Sequence, residues 1–175
     1  MSIVSDIEKL KKEKNAVILA HYYVDEDVQD IADYIGDSFY LSKVATKVDQ
    51  DRIIFAGVEF MGESAKILNP DKRVFMPDMN ADCPMAHMAD KDEILKLREE
   101  YDDLAVVCYI NSTAELKKYS DVCVTSSNAV KIVKNLPNKN IFFIPDRNLG
   151  HFVAKQCPDK NFIFNNGCCP RHVVI

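Results

Sequence analysis

Two stretches of this chain superimpose at an offset of 88 residues, and that internal repeat limits the possible folds more than any other feature. Over residues 15–77 only 9 of 63 positions match the stretch 88 residues further on, so identity alone carries little. The order of elements carries more. Apolar runs, amphipathic segments and turns follow one another in the same sequence, without a gap, until after Pro70-Asp71-Lys72 and Pro158-Asp159-Lys160. Asp33 then aligns with Asp121, Ser38 with Ser126 and Gly62 with Gly150. The cysteines of two Cys-Pro pairs match after a slip of two: Cys83 lies 62 residues past His21, and Cys169 lies 60 past Tyr109.

The first copy opens on a predicted helix over residues 5–15. A continuous apolar run at 16–20 follows, the pattern of a strand covered on both faces. Helical spacing over 28–35 ends at Gly36-Asp37-Ser38, and a further helix is predicted at 41–48. A strand at 53–56, a helix at 60–68, a turn at 69–72 and a strand at 74–76 complete the copy. The second copy repeats this with strands at 104–108, 141–144 and 162–164. Its helices are predicted from Thr125-Ser126-Ser127-Asn128 to about Lys134 and over 149–156, with Val122-Cys123-Val124 between the first strand and the first of these. Each copy reads β-α-β-α-β, which predicts an α/β fold of tandem three-layer α/β/α units with small parallel sheets. The expected organisation is an N-terminal helix at 1–15, a first unit at 16–89, a connecting helix at 90–103 and a second unit at 104–175.

Composition narrows the function. With 22 basic and 27 acidic residues the net charge is −5, which argues against a general nucleic-acid or anionic-membrane binder. No apolar run approaches the roughly 20 residues that span a bilayer, and the lysine-rich start lacks an apolar signal core. A cytoplasmic protein is therefore expected. Six cysteines in such a chain point to metal binding or catalysis rather than to a disulfide framework.

Ligands of open parallel sheets bind beyond the carboxyl ends of the strands. His21 and Tyr23 leave the first strand of one copy, and Tyr109 and Asn111 hold the matching places in the other, each pair spaced to point to one side. Ser38 and Ser126 each precede a helix, where a serine serves as an N-cap and where free N–H groups also attract anions. Cys83 and Cys169 close equivalent copies outside any C-x-x-C pair. Soft thiolates select iron–sulfur clusters, zinc or copper(I), but two ligands leave such a site short of a third. Cys168 adjoins Cys169 and is expected to point away from the same ion. Cys108 and Cys123 read as core residues, Cys157 as a turn residue, and His87 and His151 as surface residues.

The segments HYYVDEDVQDIADYIGDS, FAGVEFMGESAKILNPDK, PDMNADCPMA, YINSTAE, TSSNAV, PDRNLG and CPRH together resemble the quinolinate synthase family of NAD biosynthesis. That resemblance implies three homologous α/β domains about a pseudo-threefold axis, each giving one cysteine to a [4Fe-4S] cluster whose remaining iron is open to substrate. It implies condensation of iminosuccinate with dihydroxyacetone phosphate to quinolinate, with loss of phosphate and water, and a functional link to L-aspartate oxidase or aspartate dehydrogenase. By the same resemblance Cys83 and Cys169 are cluster ligands, and His21, Ser38, Tyr109, Asn111, Ser126 and His172 are substrate-binding. Tyr23 and Tyr109 are the candidate proton-transfer residues. The family pattern continues past Ile175 with a third domain, so this chain is expected to be a truncated form lacking the third cysteine and a catalytic carboxylate. Two alternatives stand beside it: an anion-binding α/β module without a cluster, and a metal site completed by another chain. No oligomeric state follows from the sequence.

Overall fold

The computed structural model describes residues 2–170 and divides into two units, Met1–Asp82 and Cys83–Ile175. The first unit holds α1 (Ile3–Glu13), β1 (Ala16–His21), α2 (Glu26–Asp30), β2 (Tyr34–Gly36), α3 (Ser38–Ala45), β3 (Arg52–Ala56), α4 (Glu59–Leu68) and β4 (Arg73–Phe75). The second begins with a 3-10 turn, Pro84–His87, and continues with α5 (Lys91–Glu100), β5 (Leu104–Tyr109), α6 (Ala114–Lys118) and β6 (Val122–Val124). It ends with α7 (Ala129–Asn135), β7 (Asn140–Ile144), α8 (Arg147–Gln156) and β8 (Asn161–Phe164). Each unit carries a four-stranded sheet, ordered β2-β1-β3-β4 in one and β6-β5-β7-β8 in the other, with every pairing parallel.

The offset of 88 runs through the whole architecture. Every element from α5 to β8 except α7 starts 88 residues after its counterpart, as 104 against 16 for β5 and β1. α5 is thus the equivalent of α1, and the repeat includes the helix that precedes each sheet. The apolar runs are central strands with both faces covered, as expected. In the second sheet Ala105 and Val107 pack into one core with Ala129, Val133 and Val153 of α7 and α8. Leu104, Val106 and Cys108 pack on the other side with Ile94 of α5 and Leu116 of α6.

Two sequence expectations are corrected. Each unit has four strands where three were expected, because residues 28–35 do not form one helix: α2 stops at Asp30 and β2 begins at Tyr34. The cause is Asp33. Its carboxylate accepts the Ile18 N–H at 2.8 Å, and its own N–H donates to the Ile18 carbonyl at 2.9 Å. Pairing between β1 and β2 starts one residue later, at Leu19↔Tyr34, so the carboxylate satisfies the last N–H of β1 that the short strand does not reach. Asp121 repeats this with Val106, at 2.7 and 3.0 Å. A cation from the preceding helix holds each aspartate, Lys11 at 2.9 Å from Asp33 and Arg98 at 2.9 Å from Asp121.

The matched Pro-Asp-Lys turns have a similar explanation. Lys160 Nζ donates to the carbonyls of Leu136 at 2.6 Å and Asn138 at 2.8 Å, and Lys72 Nζ donates to those of Ala45 and Val48. Each lysine closes the carboxyl end of the middle helix and the loop behind it. The aligned glycines bring the last helix of each unit close to its sheet. A Cβ on Gly62 would meet Met76 Sδ at 2.4 Å, and one on Gly150 would meet the Phe143 and Phe164 rings at 3.0–3.1 Å.

The charged acceptor under β6 predicts a measurable stability cost. Asp121→Ala leaves the buried Val106 N–H unpaired and should cost about 2 kcal/mol in urea denaturation at neutral pH. Most of that loss belongs to the N–H bond, since the half-exposed Arg98 pair contributes little. A cost under about 0.5 kcal/mol would show that the carboxylate does not substitute for a strand partner.

Candidate functional site

Parallel pairing brings the carboxyl ends of all four strands in each sheet to one edge. In the first unit that edge carries His21, the last residue of β1. The strand stops there rather than continuing to Tyr23: Val24 N–H donates to the His21 carbonyl at 3.0 Å and closes a turn. His21 and Tyr23 therefore meet by a turn and not by strand alternation. Their ring centroids are 4.8 Å apart, edge to face, with Tyr22 within 4.9 Å of both. The imidazole is 6% exposed and Tyr23 is 83% exposed, so a buried base lies beneath an open phenol.

The His21 Nδ1 accepts the Tyr23 N–H at 3.2 Å, which leaves the proton of the neutral ring on Nε2 as a donor. Burial lowers the His21 pKa below its ordinary value, and the nearby Asp37 carboxylate partly opposes that. Burial, with Tyr23 and Asp37 in support, raises the Tyr22 phenol above its ordinary value. Asp37 was not singled out from the sequence. It, and not Ser38, caps α3, accepting the Tyr40 N–H at 2.7 Å. The signal was present in Gly-Asp-Ser, since aspartate is as good an N-cap as serine and adds charge at the positive end of the helix. Ser38 is the first residue of α3, and its carbonyl accepts the Ser42 hydroxyl at 2.7 Å.

The second unit places Tyr109 at the end of β5, its ring against the core beneath α7 and α8. The Asn111 amide donates to the Tyr109 hydroxyl at 3.2 Å, so the two expected residues do meet. Ser112, fully buried and absent from the sequence-based set, donates from Oγ to the Tyr109 carbonyl at 2.8 Å and fixes the turn. Ser126 is exposed and does not cap a helix. α7 starts only at Ala129, with Asn128 before it accepting the Thr125 N–H at 2.7 Å. His172 lies outside the described residues.

Cys83 and Cys169 are half-buried thiols outside any disulfide. The chain just ahead of each is tied to a helix start. Glu59 N–H, at the first position of α4, donates to the Ala81 carbonyl at 2.9 Å, and Arg147 N–H, at the first position of α8, donates to that of Gly167 at 2.8 Å. Both carbonyls lie two residues before a Cys-Pro cysteine, 81 before 83 and 167 before 169. In the second unit Gly167 is also required, because a Cβ there would stand 2.4 Å from the Pro145 carbonyl oxygen. Thiols are the donor type that a soft metal centre selects. A cleft of about 560 Å³ in the second unit is lined by His87, Asp90, Lys91, Thr113, Glu115 and Asn165. Sequence reasoning placed His87 on the surface and did not mark Asn165, which is 4% exposed and donates to the Met88 carbonyl at 2.8 Å.

The family described as Quinolinate synthetase A protein matches residues 5–175. Curated relatives bearing the name quinolinate synthase include that of Fusobacterium nucleatum, 63% identical over 169 residues, covering 97% of this chain and 57% of that protein. The Clostridioides difficile protein is 55% identical, with 95% of this chain and 55% of its own length covered. That of Clostridium perfringens is 55% identical over 175 residues, with 100% and 58% covered. The chain thus spans 55–58% of the length of these three relatives. No helix among the described residues is long and apolar enough to cross a membrane.

The buried imidazole makes a prediction in pH. His21 should titrate below 6.5 by NMR, and Asp37→Asn should lower it further by removing the opposing charge. The sign for stability follows, because the unfolded chain takes up this proton first. The stability it contributes is complete above about 6.5 and is lost as pH falls from there through the folded-state value. A His21 midpoint above 6.5, or one that Asp37→Asn raises, contradicts the burial.

Proposed function

This chain belongs to the quinolinate synthetase A protein family, and on that premise we propose that it forms part of a quinolinate synthase of NAD biosynthesis. The reaction is the condensation of iminosuccinate with dihydroxyacetone phosphate, and Cys83 and Cys169 are two of the thiolates that hold a [4Fe-4S] cluster. The observation that carries this reading is the repeated cysteine setting. Two half-buried thiols outside any disulfide follow carbonyls held by the first N–H of equivalent helices, in a chain whose relatives bear this enzyme name. The third thiolate comes from a further unit or another chain.

When bound, the cluster supplies a Lewis acid that polarises a substrate oxygen. The protein's own groups do the rest. The Nε2–H of neutral His21 donates to an anionic oxygen without adding a buried charge, and the hydroxyls of Ser38 and Ser126 offer further donors at their strand ends. Tyr109, whose hydroxyl is held by Asn111, moves a proton during enolisation, and exposed Tyr23 exchanges one with solvent. His172 completes the substrate-binding set. Iminosuccinate is supplied by an aspartate-oxidising enzyme, L-aspartate oxidase or aspartate dehydrogenase, and the setting is cytoplasmic.

In an assembly that supplies the third thiolate, anaerobic reconstitution with iron and sulfide should give broad absorption near about 400 nm. Cys83→Ser and Cys169→Ser should each abolish it, and Cys157→Ser should leave it unchanged. A colourless assembly, or iron content indifferent to both ligand substitutions, sinks the cluster assignment. In the catalytically complete assembly Tyr109→Phe should lower kcat by about 100-fold or more, and an unchanged kcat would remove that hydroxyl from proton transfer.

A further inference from the structure

Cys108 and Cys123, read from the sequence as separate core residues, are direct neighbours. They are register partners on the parallel strands β5 and β6, so their side chains leave the same face. Both pack into the core beneath α5 and α6. Adjacent strands lie about 4.8 Å apart, inside the roughly 4.4–6.8 Å Cα separation that a disulfide bridges.

The two positions are unequal. Cys108 sits on an interior strand, is fully buried, and donates its thiol to the Tyr109 carbonyl at 3.4 Å. Cys123 sits on the edge strand and is half-buried. The neighbouring Cys108 thiol lowers the Cys123 thiol to about 7, with the Lys117 ammonium assisting against burial. The Cys123 neighbour, and then burial, raise Cys108 well above its ordinary value. A thiol whose pKa lies near the ambient pH is the best attacking nucleophile in thiol–disulfide exchange.

We propose that Cys108 and Cys123 form a reversible dithiol, oxidised by exchange with a small-molecule disulfide, in which Cys123 attacks first and Cys108 resolves. The Cys123 thiolate attacks one sulfur of the small disulfide, whose S–S bond breaks and releases one thiolate. Cys108 then passes its proton to that leaving thiolate and attacks Cys123 Sγ, expelling the second small thiolate, which takes up from solvent the proton that Cys123 released on ionising. Two protein thiols are oxidised and one small disulfide is reduced to two thiols. The bridge would tie β5 to β6 one residue before Tyr109 and three before Ser126, the strand ends of the candidate site. The chemistry of the pair stands apart from the cluster reading, and its test uses no iron.

The reduced chain is incubated with glutathione disulfide, quenched in acid, alkylated, digested and mapped by mass spectrometry. The expected product is a peptide pair joined through Cys108 and Cys123, with both thiols lost together and both restored by dithiothreitol. In Cys108→Ser the reaction should stop with one glutathione on Cys123. The proposal is overturned if both thiols remain alkylatable while Cys168 or Cys169 reacts. Glutathione that stays on Cys123 of the unaltered chain without linking to Cys108 also overturns it. The unaltered chain carries the decisive result even if the variant fails to fold.

Discussion

A carboxylate bound to backbone in place of a strand partner sets the layout of both units. β1 and β5 are longer than the short edge strands beside them, so an N–H near the middle of each would lie buried and unpaired. Asp33 and Asp121 supply the missing acceptor and return their own N–H to the same residue. An unsatisfied buried N–H would cost about as much as a lost hydrogen bond, which explains why this aspartate is among the few identities between the copies. Its consequences run to the strand ends. Once the edge strand is seated, its last residue accepts from the turn after the central strand: Gly36 takes the Tyr22 N–H at 3.2 Å and Val124 takes that of Ile110 at 2.8 Å. The edge strand then delivers Asp37 beside His21 in one unit and sets Cys123 beside Cys108 in the other.

Much of this was legible in the residues. The continuous apolar runs named the central strands, and the repeat gave one parallel sheet per copy with helices on both faces. What escaped were short elements decided by single polar contacts. Tyr34-Ile35-Gly36 continues an apolar spacing that suits a helix, and only the reach of Asp33 to Ile18 turns it into a strand. The caps escaped for the reverse reason. Serine and aspartate both cap helices, and adjacent Asp37 and Ser38 do not reveal which one stands outside the first turn. At Ser126 the aligned position suggested the same role, but Asn128 binds back to Thr125 and delays the helix to Ala129. The cysteine pair was hidden because pairing of β6 with β5 is a tertiary fact. Residues 15 apart in sequence, 108 and 123, meet only once Asp121 has set the register.

The two-residue slip that separates the cysteines from the rest of the repeat can be located physically. Up to the starts of β4 and β8 the copies keep step, at 73 and 161. Beyond the last strand, the carbonyl that accepts the first N–H of α4 or α8 is Ala81 in one copy and Gly167 in the other, which is already two residues out of step. The difference therefore falls in the short link between strand and tether. From tether to cysteine the spacing is again the same. A loop free to vary could have absorbed the slip anywhere, but these copies absorb it before the hydrogen bond and preserve the two residues after it. The first N–H of a helix has no intrahelical partner and must be satisfied from outside. In each copy it is spent on a carbonyl two residues ahead of a Cys-Pro cysteine, Ala81 or Gly167. Gly167 tightens that further by passing where no side chain fits against the Pro145 carbonyl. The spacing from tether to cysteine is thus the part of the loop held constant between the copies.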